Sequence, residues 1–174
     1  VENDKATLIE FYNALGYLNA NVTAYEVSIQ GSNADINIKI SEGTRTLISG
    51  IEIKGAELIP KEEIEKNIKI KSGDPYNEVD ISDSRYRIID AYRNNGFGDV
   101  KVDVRQETFE SGKKIIFEIK EGTLSLYGNT VISGNTRTRH VVIKREVLYK
   151  AGSAYNNNML TKSRQRLYKL GLFT

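Results

Sequence analysis

The residue types that carry most enzyme chemistry are scarce in this sequence of 174 residues. It contains no Cys, and His140 is its one histidine. A thiol nucleophile, a thiolate metal site and a centre with several histidine ligands are therefore excluded. Asp80, Asp83 and Asp90 fall on a predicted exposed helix face, without the partner spacing that acid–base or metal chemistry needs. We predict no catalytic residue, no metal site and no cofactor, so the chain is not an enzyme.

The distribution of charge along the chain is uneven. Residues 123–174 carry nine basic side chains and one acidic residue, Glu146, so this part has a formal charge of +8. The whole chain has a charge of +2, which leaves −6 for the remainder. A reversal of sign between two parts of a chain indicates two surfaces with different neighbours. Suitable neighbours for the basic part are anionic lipid headgroups, an acidic protein or nucleic acid.

The overall composition is that of a folded protein. Hydrophobic residues make up 39% of the chain and charged residues 28%, which is typical of a globular domain. No run approaches the roughly 18 apolar residues that a membrane-spanning helix needs. The sequence opens without Met and without a recognisable signal, as a fragment or a mature chain would.

Self-similarity at a fixed period organises the sequence. The pair Glu42-Gly43 returns 79 residues later as Glu121-Gly122, and other pairs keep the same register. These are Gly55 with Gly134, Gly73 with Gly152, and Tyr76-Asn77 with Tyr155-Asn156. Gly16-Tyr17 anticipates Gly96-Phe97 at a spacing of 80. We therefore predict three copies of one unit: a first repeat at 1–43, a middle repeat at 44–122 and a last repeat at 123–174.

The middle repeat is complete and predicts an α+β unit of the order β-α-α-β-β. Alternating apolar residues predict a strand over Ile48–Lys54, and Pro60 suits the start of a short helix. A longer helix begins near the N-cap Asn77 and ends at Gly96. Two further alternating stretches, around Val100–Gln106 and 114–119, complete a hairpin. Each full unit would be a three-stranded sheet covered on one face by two helices.

The flanking repeats are incomplete. The first supplies a helix near Lys5–Leu15 and a hairpin near Val22–Gln30 and Ala34–Ser41. The last supplies an opening strand and two helices.

These features together resemble tandem POTRA domains, as found in outer-membrane protein assembly factors of the BamA and TamA type. The resemblance rests on the unit order, the Gly16-Tyr17 and Gly96-Phe97 helix ends, and the Glu-Gly that closes each hairpin. It also rests on Ile-x-Ile-x-Gly at 51–55 and on segments 132–138, 142–146 and 167–173, which resemble the last, barrel-proximal domain. The resemblance implies a periplasmic scaffold at the Gram-negative outer membrane, with a C-terminal β-barrel beyond Thr174. Its implied partners are unfolded outer-membrane protein clients and accessory assembly lipoproteins.

Three groups of site residues follow from this interpretation. An outer hairpin strand offers unpaired backbone groups to an extended client, so the client-binding edge is Val100, Lys101, Val102, Asp103, Val104, Arg105 and Gln106. Arg145 and Glu146 are the lipoprotein-docking candidates that the resemblance implies, although Lys150 at i+4 could equally pair with Glu146. Arg137, Arg139, Lys144 and Lys150 are candidates for facing an anionic phospholipid surface.

Two other functions stay open at this point. A POTRA arm of a two-partner-secretion transporter would share the same sequence features. A basic nucleic-acid-binding module belongs to a different class, but Gly73-Asp74-Pro75-Tyr76 is not the Gly-x-x-Gly loop of a KH domain, and no strand carries an aromatic platform. We therefore expect no nucleic-acid partner.

Overall fold

A computed structural model describes residues 2–31, 33–136 and 138–171 of the chain. Its helices and strands follow in the order α1 (Glu2–Ala14), β1 (Asn21–Gln30), β2 (Asn33–Ser41), β3 (Ile48–Lys54), α2 (Lys61–Glu65), α3 (Glu78–Asn94), β4 (Lys101–Phe109), β5 (Gly112–Lys120), α4 (His140–Lys144) and α5 (Asn157–Lys169). Within the described residues, none of the helices has both the length and the apolar character needed to cross a bilayer.

The chain divides into two compact units, each assembled from separate stretches of sequence. Unit 1 comprises Val1–Ile53, Ile68–Ser84 and Val104–Phe117. Unit 2 comprises Lys54–Asn67, Arg85–Asp103 and Glu118–Thr174. Both units draw on the middle repeat, and the repeat boundaries near residues 43 and 122 stay a prediction.

The predicted α+β fold is confirmed in the middle repeat. Its three strands form one sheet in the order β3-β5-β4, so the last strand of the repeat lies in the centre. The N-cap of α3 is Asn77, whose Oδ1 accepts the Val79 N–H at 2.9 Å, as the sequence predicts. The buried side chains include Ile64, Ile81, Ile88 and Tyr92 from the helices, and Ile48, Val102, Ile115, Phe117 and Ile119 from the sheet.

One residue of β5 is more buried than strand alternation predicts. Ile116 alternates with the core residues Ile115 and Phe117, which places it on the opposite face of the sheet, yet it is also buried. Because β5 is the central strand, side chains of both neighbouring strands flank Ile116 on that face. The central position of β5 therefore decides the burial of Ile116, which alternation alone predicts to be exposed.

The first repeat forms the predicted helix and hairpin. Strands β1 and β2 pair antiparallel, with Val27 opposite Ile36 and Tyr25 opposite Ile38. Ile36 and Ile38 are exposed, whereas their counterparts 79 residues later, Ile115 and Phe117, are fully buried. The difference arises because β1 and β2 form a sheet of two strands, and the described residues provide no counterpart of β3 beside β2.

The predicted opening strand of the last repeat is wrong. Residues 127–135 adopt no regular structure, and Leu126 makes only an isolated bridge with Ala154. In the middle repeat the opening strand β3 pairs with β5, the closing strand of the same repeat. The described part of the last repeat has no counterpart of β5, and an isolated strand has no ladder to join.

Hydrogen bonds of two buried serines reproduce the 79-residue spacing. The Ser84 hydroxyl accepts the Lys69 N–H at 3.0 Å and donates to the Asp80 carbonyl at 2.7 Å. Ser163 repeats this with the Leu148 N–H at 2.9 Å and the Met159 carbonyl at 2.7 Å. Buried hydroxyl groups need such partners. The sequence repeat is therefore also a repeat of three-dimensional contacts.

The carboxylate of Glu121 ties three segments of unit 2 together. Its Oε1 accepts the N–H groups of Glu57 and Leu58, each at 2.9 Å, and the Tyr92 hydroxyl at 2.7 Å. Burial favours a higher pKa for this carboxyl, but the donors, including the Ile59 N–H, outweigh it and hold the pKa below its ordinary value. Burial and the Glu121 hydrogen bond in turn raise the pKa of the Tyr92 phenol.

We predict that Glu121→Ala lowers the free energy of unfolding by roughly 1–3 kcal/mol at pH 7, because it leaves several donors unpaired. Since the folded-state pKa lies below the ordinary 4.5, this stabilisation is present above pH 4.5 and is lost as the pH falls through the folded-state pKa. Urea unfolding at several pH values measures both effects. Glu110→Ala, at an exposed turn position, is the control. A difference between Glu121→Ala and wild type that stays constant down to pH 3 would contradict the prediction.

Candidate interaction surface

The predicted client-binding strand lies at an edge of its sheet. β4 pairs with β5 on one side and is the last strand in the order β3-β5-β4. Among the predicted client-binding residues, Lys101, Asp103, Arg105 and Gln106 are exposed, Val104 is half-buried, and Val102 and the preceding Val100 are buried. An edge strand presents a row of unpaired N–H and C=O groups, while the mixed charges face solvent.

Some groups of β4 already have partners. The Arg85 Nε–H donates to the Val102 carbonyl at 2.6 Å, which ties α3 to the strand. Lys120 Nζ lies 3.9 Å from an Asp103 carboxylate oxygen. Both side chains of that ion pair are largely exposed, so its contribution to stability is small.

The two docking candidates form a pair with each other. Arg145 Nε donates to Glu146 Oε1 at 3.1 Å; the Arg145 side chain is 63% exposed and that of Glu146 only 18%. Helix α4 ends at Lys144, so Arg145 caps its C-terminus and Glu146 follows the helix. Both residues therefore lie at the end of the helix and not within it. The Glu146 carboxylate thus pairs with its neighbour Arg145, a contact that the i+4 spacing to Lys150 does not predict.

The basic candidates are spread along the last repeat. Arg139 is the N-cap of α4 and Lys144 its last residue, so about 7.5 Å of helix separates them at 1.5 Å per residue. Lys150 lies in the turn before α5. All three are exposed, and Arg137 lies outside the described residues.

The end of each of the helices α1 and α3 is joined to the segment that follows the next hairpin. The Thr46 N–H donates to the Gly16 carbonyl at 2.7 Å in unit 1, and the Ser125 N–H donates to the Gly96 carbonyl at 2.8 Å in unit 2. Both glycines have positive φ, 92° and 100°, a conformation that favours glycine. The recurring Gly16-Tyr17 and Gly96-Phe97 pairs thus mark two equivalent connections between repeats.

A cluster of tyrosines in the last repeat was not predicted. Tyr127 and Tyr149 stack with ring centroids 4.0 Å apart, and Tyr155 lies 5.5 Å from Tyr127. The Tyr127 hydroxyl donates to the Asn156 carbonyl at 2.6 Å, and burial raises the pKa of this phenol. No pattern in the sequence brings Tyr127 and Tyr149 together, because the contact depends on how the turn before α5 folds.

The arrangement defines a class of protein: a repeat scaffold of small α+β units that offers an open sheet edge. The described residues contain no group of three or more side chains suited to holding a metal ion. The POTRA family, described as surface antigen variable number repeat, matches residues 1–43, 46–122 and 126–174. The chain belongs to this family, and the resemblance inferred from its motifs is confirmed.

Two relatives are similar to this chain over nearly its whole length. It is 26% identical over 182 residues to a provisionally named outer membrane protein assembly factor of Treponema pallidum (strain Nichols), covering 100% of this chain and 22% of that protein. It is 25% identical to the outer membrane protein assembly factor BamA of Neisseria meningitidis serogroup B, covering 98% of this chain and 22% of the relative. The chain therefore spans less than a quarter of the length of these relatives.

A solved structure shares the fold. The crystal structure of Haemophilus influenzae BamA POTRA3-5 superposes with a TM-score of 0.70 at 20% identity, covering 99% of this chain and 70% of that one.

Proposed function

We propose that this chain is part of a periplasmic scaffold in an outer-membrane protein assembly factor, and that it receives extended client segments at the edge of β4. The observation that carries the proposal is the edge position of β4. It is supported by the similarity of almost the whole chain to proteins named as assembly factors. The periplasmic face of the outer membrane is the corresponding location.

The chemistry of an edge strand suits a receptor for many clients. A client strand that pairs with β4 would use backbone N–H and C=O groups, which every sequence offers. Because Arg85 engages the Val102 carbonyl, a client strand would pair with β4 beyond this carbonyl. The alternating charges of Asp103 and Arg105 would deter uncontrolled pairing with other edges.

We predict that an extended peptide of alternating apolar and polar residues, as in an outer-membrane β-strand, shifts the amide resonances of Lys101–Phe109. Two versions of the peptide, N-methylated at alternate positions, make the test specific. Methylation on the side that faces β4 should abolish binding, because it removes backbone donors, whereas methylation in the other register should leave binding intact.

The control is the other edge strand, Ile48–Lys54, whose resonances should stay unchanged in the same titration. Shifts concentrated on β3 or on the helices, or equal binding by both methylated peptides, would exclude pairing at β4.

We also propose that Glu146 and Arg145 dock an accessory assembly lipoprotein. Glu146 is the single acid in a region of charge +8, and its partly exposed carboxylate faces the guanidinium of Arg145. A partner with a basic residue would compete with Arg145 for this carboxylate.

Glu146→Arg should abolish co-purification with the lipoprotein while leaving a folded protein, as thermal unfolding of the variant would verify. Glu110→Arg makes the same charge change in the exposed β4–β5 turn and should leave co-purification intact. Undiminished capture by Glu146→Arg would rule out the docking role.

A third part of the proposal is that the basic residues of the last repeat face anionic phospholipid. Replacing Arg137, Arg139, Lys144 and Lys150 by Ala should weaken binding to phosphatidylglycerol vesicles, measured by flotation. The expected loss of binding free energy is about 1 kcal/mol per residue. The matched control replaces Lys162, Arg164, Arg166 and Lys169, which removes the same charge and should have a smaller effect. Equal losses for both variants, or equal binding to phosphatidylcholine vesicles, would contradict this orientation.

A further inference from the structure

The two connections between repeats share equivalent backbone hydrogen bonds but differ in their side-chain hydrogen bonds. The first junction, in unit 1, joins the end of α1 to the start of α3; the second junction, in unit 2, joins the end of α3 to the start of α5. Equivalent backbone bonds hold both: Tyr76 N–H to the Thr46 carbonyl at 3.0 Å, and Tyr155 N–H to the Ser125 carbonyl at 2.9 Å. The comparison between them is therefore internal to one chain.

Asn94 bridges the second junction through both its side chain and its backbone carbonyl. Its side-chain Oδ1 accepts the Asn158 N–H at 2.9 Å, and its backbone carbonyl accepts an N–H from Asn156 Nδ2 at 2.7 Å. The first bond satisfies a backbone donor at the start of α5, where helical amides lack partners in their own helix. The last residue of α3 is thereby bonded to the first turn of α5.

The first junction has no such side chain. Ala14 occupies the position equivalent to Asn94, at the spacing of 80 that relates Gly16 to Gly96. Val79, the counterpart of Asn158, instead donates its N–H to Asn77 Oδ1 within its own helix cap at 2.9 Å. The methyl group of Ala14 offers no acceptor, so this amide cannot be shared across the junction.

The surroundings of the two junctions also differ in polarity. Glu10 and Glu78 line a cavity of about 510 Å³ at the first junction, and the buried Asn13 Oδ1 beside it has no hydrogen-bond partner among the described residues. At the second junction the counterparts of these acids are Asp90 and Asn157, and Asn157 Nδ2 donates to Asp90 Oδ1 at 3.5 Å. Two carboxylates at one site repel each other, whereas a carboxylate and an amide attract.

We propose that Asn94 is a positioning residue that fixes the last repeat against the middle repeat, and that the first junction, which has Ala14 instead, samples a wider range of arrangements. The side chain and carbonyl of Asn94 join α3 to the first turn of α5 at the second junction. At the first junction the Arg45 Nε–H donates to the Leu15 carbonyl at 2.9 Å, a bond that holds the end of α1 to the segment after the hairpin and does not reach α3. The second junction is therefore the more rigid of the two, and the first junction is the more flexible.

Spin-label distance measurements on the whole chain test this proposal. The sequence has no Cys, so pairs of introduced cysteines at exposed positions are labelled selectively: Ala6 with Ser82 for the first junction, Lys101 with Gln165 for the second. The distance distribution should be narrower for the second pair. Client binding does not enter this readout, so its result is independent of the function of β4.

Asn94→Ala should raise the population outside the main Lys101–Gln165 peak roughly 2- to 10-fold, the factor for loss of one ordinary hydrogen bond, and leave Ala6–Ser82 unchanged. Asn94→Asp keeps an acceptor oxygen and should retain the narrow distribution. Ala14→Asn adds an acceptor opposite Val79 and should narrow the Ala6–Ser82 distribution.

The matched control is Asn95→Ala, since the Asn95 side chain donates to the Ala91 carbonyl of the preceding helix α3. Thermal unfolding of each variant establishes that it is folded. Equal widths for the two pairs in wild type, or the same broadening by Asn95→Ala as by Asn94→Ala, would overturn the proposal.

Discussion

The carboxylate of Glu121 is the interaction on which the middle repeat depends most directly. A partly buried carboxylate is unfavourable unless donors surround it, and here Leu58, Glu57 and Tyr92 all donate to one oxygen atom. These donors come from the turn before α2 and from the long helix α3, while Glu121 follows the central strand β5. One side chain therefore fixes the helices against the end of the sheet, and the position of β5 leaves β4 at the edge.

A small number of hydrogen bonds also connects one repeat to the next. A glycine at the end of each long helix exposes its carbonyl to the next segment, so Gly16 and Gly96 each accept a backbone hydrogen bond that connects successive repeats. Backbone bonds are independent of side-chain identity, which allows residues such as Ala14 and Asn94 to differ at equivalent places. A repeat architecture can thus keep its frame and still vary the character of each connection.

An open sheet edge and a basic last repeat give the two parts of the chain different chemical surfaces. The edge of β4 carries charges of both signs beside unpaired backbone groups, which suits contact with extended segments of varied sequence. Residues 123–174 carry a formal charge of +8, which suits anionic neighbours. Both surfaces therefore suit contact with other molecules.

Spacing in the sequence determined the repeat, the order of the elements and the bounds of β3, because glycine, proline and alternating apolar residues act locally. It could not reveal the absence of the strand after Leu126 or the burial of Ile116, since both depend on which strands lie alongside. The Glu42-Gly43 and Glu121-Gly122 pairs marked a recurring glutamate, but the donors to Glu121 lie 29 to 64 residues away. Only the tertiary structure brings such groups within hydrogen-bonding distance, because a bond between distant residues leaves no periodic trace in the chain.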